Sequence, residues 1–394
     1  MAKKKQAAQS GPRVLFAASA LKKALSFVSA AVNPNPIVPV LDNVKVYVKD
    51  DQATLTTSDL QQTMRIDVPC ESFSIGADGE LFLLPFDLFS KLVGQLGNQP
   101  MFVSIGRKDE AFAHRILTDQ STYKLVGEDP IDFPSGKNDN KGKAVNMILS
   151  GDDLADFHQG LISTGYSTTN DELRPATTAV CMRISNEGMK LASTNLMQLN
   201  RYIISSVNVE SIEALLPKKF VLMLIKLIGE GVGDDLEITL TPLKAVVKMG
   251  NKTIEARLID ERFPDYENAI PVNNTLEMTV QKDEIVQAVN RVMLVANRTT
   301  LQIRLTWNVD VGLQIGAEDL DYSNEGIEVI PNYDYEGDPF EIGFNGKHLL
   351  STLNHLQGDQ IRFSFSTPNR AALLFGDNDQ HTSVLMPALL NAYA

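Results

Sequence analysis

The sequence predicts an α+β protein built from three copies of one unit. Four landmarks recur in the same order along 394 residues, with a period of roughly 130. Within each copy, segments with apolar residues three and four apart alternate with segments of period two, the marks of amphipathic helix and half-buried strand. A chain of this length also outgrows one core, since single cores stop growing near about 250–300 residues.

The first landmark is a helix over Ser19–Val32, Gly151–Ser163 and Lys282–Ala296, with Leu21, Leu154 and Ile285 in equivalent places, 133 and 131 residues apart. Ser19, Asp152 and Asp283 stand where these helices are expected to begin. The second landmark is a hairpin of alternating segments turning at Asp50-Asp51, at Asn186-Glu187-Gly188 and at Val309–Gly312, and ending at Asp59, Asn195 and Asp319. The third is another helix, aligned on Pro85, Pro217 and Asn345. Four residues on stand Phe89, Val221 and Leu349, and eight on stand Val93, Ile225 and Leu353, so one stripe is apolar in all three. Gly97, Gly229 and Gly358 are expected to close these helices in the left-handed conformation. The fourth is a strand meander, followed in the first two copies by Asp132-Phe133-Pro134 and Arg262-Phe263-Pro264.

Each copy therefore reads as β-α-βββ twice over. Domains are expected at 12–142, 143–272 and 273–394, behind a flexible basic tail at 1–11 that carries Lys3, Lys4 and Lys5. The boundaries fall in the linker-like stretches Ser135–Lys143 and Val272–Thr275.

Hydrophobic residues make up 43% and charged ones 22%, the balance of a soluble protein. No stretch approaches the roughly 18–20 apolar residues of a membrane helix, and the basic start has no apolar run behind it, so a cytoplasmic protein with no membrane partner is expected. Cys70 and Cys181 lack metal or redox spacing and read as reduced, buried side chains. A net charge of −13 speaks against a basic outer surface for nucleic acid, and leaves open a basic lining inside an acidic exterior.

Across residues 12–390 the chain resembles the β-type sliding clamp of bacterial DNA polymerase III. The resemblance is carried in order by NPIVPVLDNVKV, TTSDL at 56–60, the segment ending in DFP at Pro134, NDELRPAT at 170–177, RLIDERFPDYENAIP at 257–271, EIGFNGKHLL at 341–350, STPNRAALLF at 366–375 and VLMP at 384–387. It implies a DNA clamp fold of three repeated domains, paired head to tail as a homodimer ring with helices lining a central channel and sheets outside. It further implies a processivity factor for DNA replication, which slides on double-stranded DNA without sequence specificity and tethers the replicative polymerase, the clamp loader and other clients.

The helix text offers Lys22, Lys23, Lys91, Lys218, Lys219, Lys226, Arg291, Arg298 and Lys347 for such a lining, and a run of charge on a helix is equally the mark of a merely solvated face. The resemblance points most strongly to Lys218 and Lys219, and to Arg174 in the LRPAT loop. It also implies an apolar client-peptide pocket at Thr194, Leu196, Met197, Leu199, Pro264, Ala269, Asn345, His348, Val384, Leu385, Met386 and Pro387. Alternate residues of Val384–Pro387 equally suit a core strand. Two features depart from the family pattern. Thr194–Leu199 reads TNLMQL in place of a T-D-G/A-H-K/R-L stretch, and seven residues, ALLNAYA, follow Pro387.

An enzyme finds no support in the sequence. There is no P-loop, no H-E-x-x-H, no G-x-S-x-G and no G-x-G-x-x-G. The five histidines, His114, His158, His348, His355 and His381, are scattered and are expected at the surface or the pocket rim. Neither a cofactor nor a metal is expected. A repeat-built scaffold that never meets DNA remains the competing class.

Overall fold

The computed structural model describes residues 11–106, 112–134, 143–207, 209–231, 235–308, 311–335 and 337–390. The basic tail, most of the 135–143 linker and the middle of the Val309–Gly312 turn lie outside the described residues.

The first repeat runs β1 (Arg13–Ala17), α1 (Ala18–Val28), β2 (Asn43–Lys49), β3 (Gln52–Ser58), β4 (Gln62–Pro69), β5 (Glu71–Phe73), β6 (Glu80–Pro85), α2 (Phe86–Gln95), β7 (Pro100–Ser104), β8 (Ala113–Leu117) and β9 (Thr122–Val126). The second runs β10 (Val145–Leu149), α3 (Gly151–Gly165), β11 (Ala179–Ser185), β12 (Gly188–Thr194), β13 (Gln198–Ile204), β14 (Ile212–Pro217), α4 (Lys218–Glu230), β15 (Leu236–Thr241), β16 (Lys244–Met249) and β17 (Lys252–Arg257). The third runs β18 (Leu276–Gln281), α5 (Lys282–Val292), β19 (Gln302–Asn308), β20 (Gly312–Asp319), β21 (Asn324–Ile330), β22 (Tyr333–Tyr335), β23 (Phe340–Asn345), α6 (Gly346–His355), β24 (Gln360–Phe365), β25 (Ala372–Phe375) and β26 (His381–Leu385).

The helices begin differently from the expectation. The N-cap positions of α1, α3 and α5 are Ala17, Ser150 and Gln281, none with a side-chain cap. Strands β1 and β18 run straight into their helices, so Ser19 and Asp283, like Asp152, fall inside the first turn. There Asp152 and Asp283 favour the helix dipole. At the other end, Gly97 and Gly358 do take positive φ, 64° and 97°. Gly229 does not, because α4 continues through it to Glu230. The Asp50-Asp51 turn has φ of 49° and 59°, the paired left-handed conformation that matches the twist of a two-residue hairpin.

The chain divides into two compact units, Met1–Leu149 with Glu230–Arg257, and Ser150–Gly229 with Leu258–Ala394. The second repeat is shared between them, because strands pair across repeat boundaries. In the first unit an eight-stranded sheet runs β10-β15-β16-β17-β4-β3-β2-β6, its seam formed by β17 against β4. In the second a nine-stranded sheet runs β14-β11-β12-β13-β26-β25-β24-β18-β22, its seam formed by β13 against β26. A five-stranded sheet, β5-β1-β7-β8-β9, completes the first unit, and a four-stranded sheet, β21-β20-β19-β23, completes the second. Helices α1 and α2 pack together, as do α5 and α6. Around α5 and α6 the third repeat buries Trp307, Phe344, Phe363 and Phe365 in one core.

Two expectations about single residues are corrected. His114 and His381 are not at the surface: they are 0% and 2% exposed, and burial pushes both imidazoles down to about 4. The alternation of β8 and β26 places them inward, so they are neutral core residues. Cys181 is buried and its thiol is pushed up to about 12, whereas Cys70 is only half-buried.

Candidate peptide pocket and basic helix faces

Strands β13 and β26 meet with Leu199 opposite Val384 and Gln198 opposite Leu385. The turn that feeds β13 is fixed by its own side chains. Asn195 Oδ1 accepts from the backbone amides of Met197 at 3.0 Å and Gln198 at 2.7 Å. The Thr194 hydroxyl donates to Gln198 O at 2.7 Å and accepts from Leu196 N at 3.0 Å. These bonds hold Leu196 at φ 73°, a conformation that costs a residue with a Cβ about 1–2 kcal/mol. Leu196 and Met197 are thereby held out at 46% and 53% exposure, with Met386 beside them at 44%. Met386 N donates to Met197 O at 2.9 Å, so the turn and the end of β26 are tied together.

Beneath this rim lies an apolar floor. Leu199 and Val384 pack in one cluster with Ala192, Leu373, Phe263 and Tyr266. Pro264 follows Phe263, and Ala269 N donates to Tyr266 O at 3.0 Å, so both exposed residues sit on the segment that closes the cluster. Leu385 points the other way, into the third-repeat core with Leu374 and Phe363. Period-two alternation along β26 therefore divides the expected run: Val384 belongs to the strip and Leu385 to the core.

Asn345 and His348 reach the same place from the third repeat. The Asn345 side chain caps α6, accepting from His348 N at 3.2 Å, and Nδ2 donates to Thr300 O at 3.0 Å. Gln198 Nε2 then donates to His348 O and to Thr352 Oγ1, both at 2.9 Å. Gln198, absent from the sequence-based set, is thus the polar link that fixes α6 against the strip. Its only sequence signal was its place at the end of a turn repeated in the first domain, where Gln62 is its counterpart. His348 is half-buried, and burial, followed by the charge of Lys347, lowers its pKa.

Behind the strip the seam is polar. Asn200 Oδ1 accepts from Tyr166 Oη at 2.9 Å, from Ser383 Oγ at 2.5 Å and from His381 Nε2 at 3.2 Å, while Asn200 Nδ2 and His381 Nδ1 find no partner. The Tyr166 ring stacks on His355 with centroids 3.8 Å apart.

The basic residues lie at the surface of their helices and loops. Lys22, Lys23, Lys91, Arg174, Lys219, Lys226, Arg291, Arg298 and Lys347 are exposed and Lys218 is half-buried. They are not equally available. The Arg291 guanidinium makes a two-pronged pair with Glu328, at 2.7 and 3.0 Å. Lys91 pairs with Asp87 one turn back at 2.7 Å, in an exposed geometry worth little. Lys218 Nζ donates to Asn170 Oδ1 at 3.3 Å, beside the loop that carries Arg174. Among the described residues no group of three or more His, Cys, Asp or Glu side chains is placed to hold a metal, and no helix is long and apolar enough to cross a membrane.

Comparison with known proteins agrees with this arrangement. Residues 15–136 match the N-terminal domain of the DNA polymerase III beta subunit, residues 155–265 its central domain and residues 267–389 its C-terminal domain. The beta sliding clamp of Vibrio cholerae is 26% identical over 380 residues, covering 94% of this chain and 98% of that protein. The Staphylococcus aureus beta sliding clamp is 22% identical over 368 residues, covering 91% and 94%. Among solved structures, the Pseudomonas aeruginosa sliding clamp bound to griselimycin superposes with a TM-score of 0.87 at 22% identity, over 97% of this chain and all of that one. The Thermotoga maritima beta subunit superposes with a TM-score of 0.84 at 18% identity, covering 96% and 100%. Three domain matches in order, spanning most of the chain, show that it belongs to the DNA polymerase III beta subunit family, the non-catalytic sliding clamps that serve as processivity factors in DNA replication.

Proposed function

We propose that two copies of this chain close head to tail into a ring around duplex DNA in the cytoplasm, with domains at 12–142, 143–272 and 273–394. The ring slides without reading sequence and holds the replicative polymerase, the clamp loader and other clients by an apolar peptide pocket. One observation carries this reading. Repeat one joins repeat two through β4 and β17, and repeat two joins repeat three through β13 and β26. The equivalents at the next junction are β21 and β9, and each is the outermost strand of its sheet. Both edges carry exposed apolar side chains, Ile327 and Val329 on β21, Tyr123 and Val126 on β9. Pairing β21 of one copy with β9 of another repeats the same junction, and a heterologous contact of this kind closes when successive rotations sum to a full turn.

Lys22, Lys23, Lys91, Arg174, Lys218, Lys219, Lys226, Arg298 and Lys347 supply phosphate contacts, and Arg291 contributes where it is released from Glu328. Such contacts position DNA and carry no sequence information, which suits sliding. The strip formed by Thr194, Leu196, Met197, Leu199, Val384, Met386 and Pro387, flanked by Pro264, Ala269, Asn345 and His348, takes the client peptide. Flexible methionines at its rim favour several clients over one.

The test is loading onto nicked circular DNA followed by linearisation. Protein held by topology stays on the circle and runs off the cut ends. Equal retention on both forms rejects the ring and leaves a scaffold that binds DNA by contact alone.

A further inference from the structure

In each repeat the strand before the second helix, β6, β14 or β23, is the outer strand of its sheet, and a segment leaving that repeat's last strand lies near it. Two residues before Pro85, Pro217 and Asn345 stand Leu83, Leu215 and Gly343. In the first two repeats the exit segment is fastened by a phenylalanine. Phe133 packs on Leu83 with Val40 and Leu41, and Phe263 shares a cluster with Leu215, whose carbonyl accepts from Ile259 N at 3.2 Å. Those phenylalanines are 4% and 3% exposed.

The third repeat has the same edge and a different hold on it. Ala388 N donates to Gly343 O at 2.8 Å, the counterpart of Ile259 on Leu215, and Gln302 Nε2 donates to Leu389 O at 2.9 Å. No side chain projects from the edge at Gly343, where a Cβ would stand 2.6 Å from Ala388 O and 2.7 Å from Leu390 Cδ2. Glycine makes a seat, and Leu390 lies in the space a side chain would take. The hold is slight: one ladder pairing, one side-chain bond, and a neighbouring Leu389 that is 78% exposed. An outer strand with one loosely kept partner is a template for an extended peptide.

We propose that the outer edge of β23 is a second peptide subsite, filled by the chain's own Ala388–Leu390 and, in exchange, by an extended, leucine-bearing segment of a client. This rests on the pocket reading above, since Met386 and Pro387 lead directly from the strip to the edge. A client peptide in the strip that continues along β23 gains backbone pairing and displaces the segment that occupies it. Specificity at this subsite comes from the missing side chain at Gly343, which admits a leucine there.

The probe is a fluorescein-labelled peptide of residues 388–394, ALLNAYA, titrated to about 1 mM, the effective concentration that a short tether gives the same segment in cis. It is added to the full chain, to the chain ending at Pro387, and to that shortened chain carrying Gly343→Val. The shortened chain is expected to bind saturably, the full chain roughly tenfold more weakly because the edge is already held, and the Gly343→Val form not at all. Absence of binding to the shortened chain, or equal binding by the Gly343→Val form, overturns the proposal. Hydrogen exchange on the full chain gives a readout that no truncation can disturb. The Ala388 amide is expected to exchange more slowly than the same amide in the free peptide, and exchange at the free-peptide rate also overturns the proposal. Failure of the pocket is separately visible: Met386→Ser then leaves polymerase stimulation intact while the tail peptide still binds.

Discussion

Leu60 and Leu196 both sit at φ 73°, in turns with the same set of bonds. Ser58 Oγ donates to Gln62 O at 3.1 Å as Thr194 does to Gln198 O, and Asp59 Oδ1 accepts from Gln61 and Gln62 as Asn195 does from Met197 and Gln198. Only glycine takes this conformation without a steric cost. Leu60→Gly is therefore expected to raise stability by up to about 1 kcal/mol in urea unfolding, since the side chain is half in water and the strain is removed. Asn195→Ala should instead lower it by about 1 kcal/mol, as the cap-like acceptor for two amides is removed. His381 gives a pH signature. Its folded pKa lies near 4, below the ordinary 6.5, so the folded state binds fewer protons between those values. The stability tied to its neutral form is present above pH 6.5 and is lost as pH falls through about 4. His381→Asn should flatten the fall in unfolding free energy between pH 7 and 4.5 by at most about 3 kcal/mol, the linkage value for a shift of this size. An unchanged slope would show that this histidine does not titrate with unfolding.

At the scale of elements, helices and hairpins were legible from the sequence because their patterns are local. The stripe at Phe89, Val221 and Leu349 located three helices, and Asp50-Asp51 located a two-residue turn. Pairing between distant strands was not legible, since β4 and β17 alternate like any half-buried strand and nothing in either names its partner. The division of Val384 from Leu385 was likewise hidden until β26 had a neighbour on each side. Charge was legible as text but not as availability: Arg291 was counted with the other basic residues, whereas Glu328 on β21 holds it in two hydrogen bonds. Glu328→Gln is expected to release Arg291 and strengthen retention on circular DNA several-fold at low salt, the scale of one charge-assisted hydrogen bond. Unchanged retention would place Arg291 away from the DNA path.

For the whole molecule, a net charge of −13 and a set of exposed basic residues imply binding that weakens steeply with salt. Lys218→Glu with Lys219→Glu should lower affinity and make the plot of log K against log salt shallower by roughly one unit for each phosphate that the ring no longer neutralises. A fall in affinity at constant slope would assign the effect to folding. Solution mass tests the junction between copies: twice 43.3 kDa is expected for the closed pair, and Ile327→Lys on the β21 edge should return the chain to monomer by breaking the strand pairing there.

The seam between β4 and β17 also bears on how the chain is made. Arg65 meets Glu255 across it, 190 residues further along the sequence. During synthesis β4 leaves the ribosome long before its partner exists, and at about 5–20 residues per second the wait is on the order of ten to forty seconds. For that time the first repeat presents a naked strand edge to every other nascent chain around it. The fold that joins its domains so firmly when complete is, while incomplete, an invitation to mispairing, and a client for chaperones before it has clients of its own.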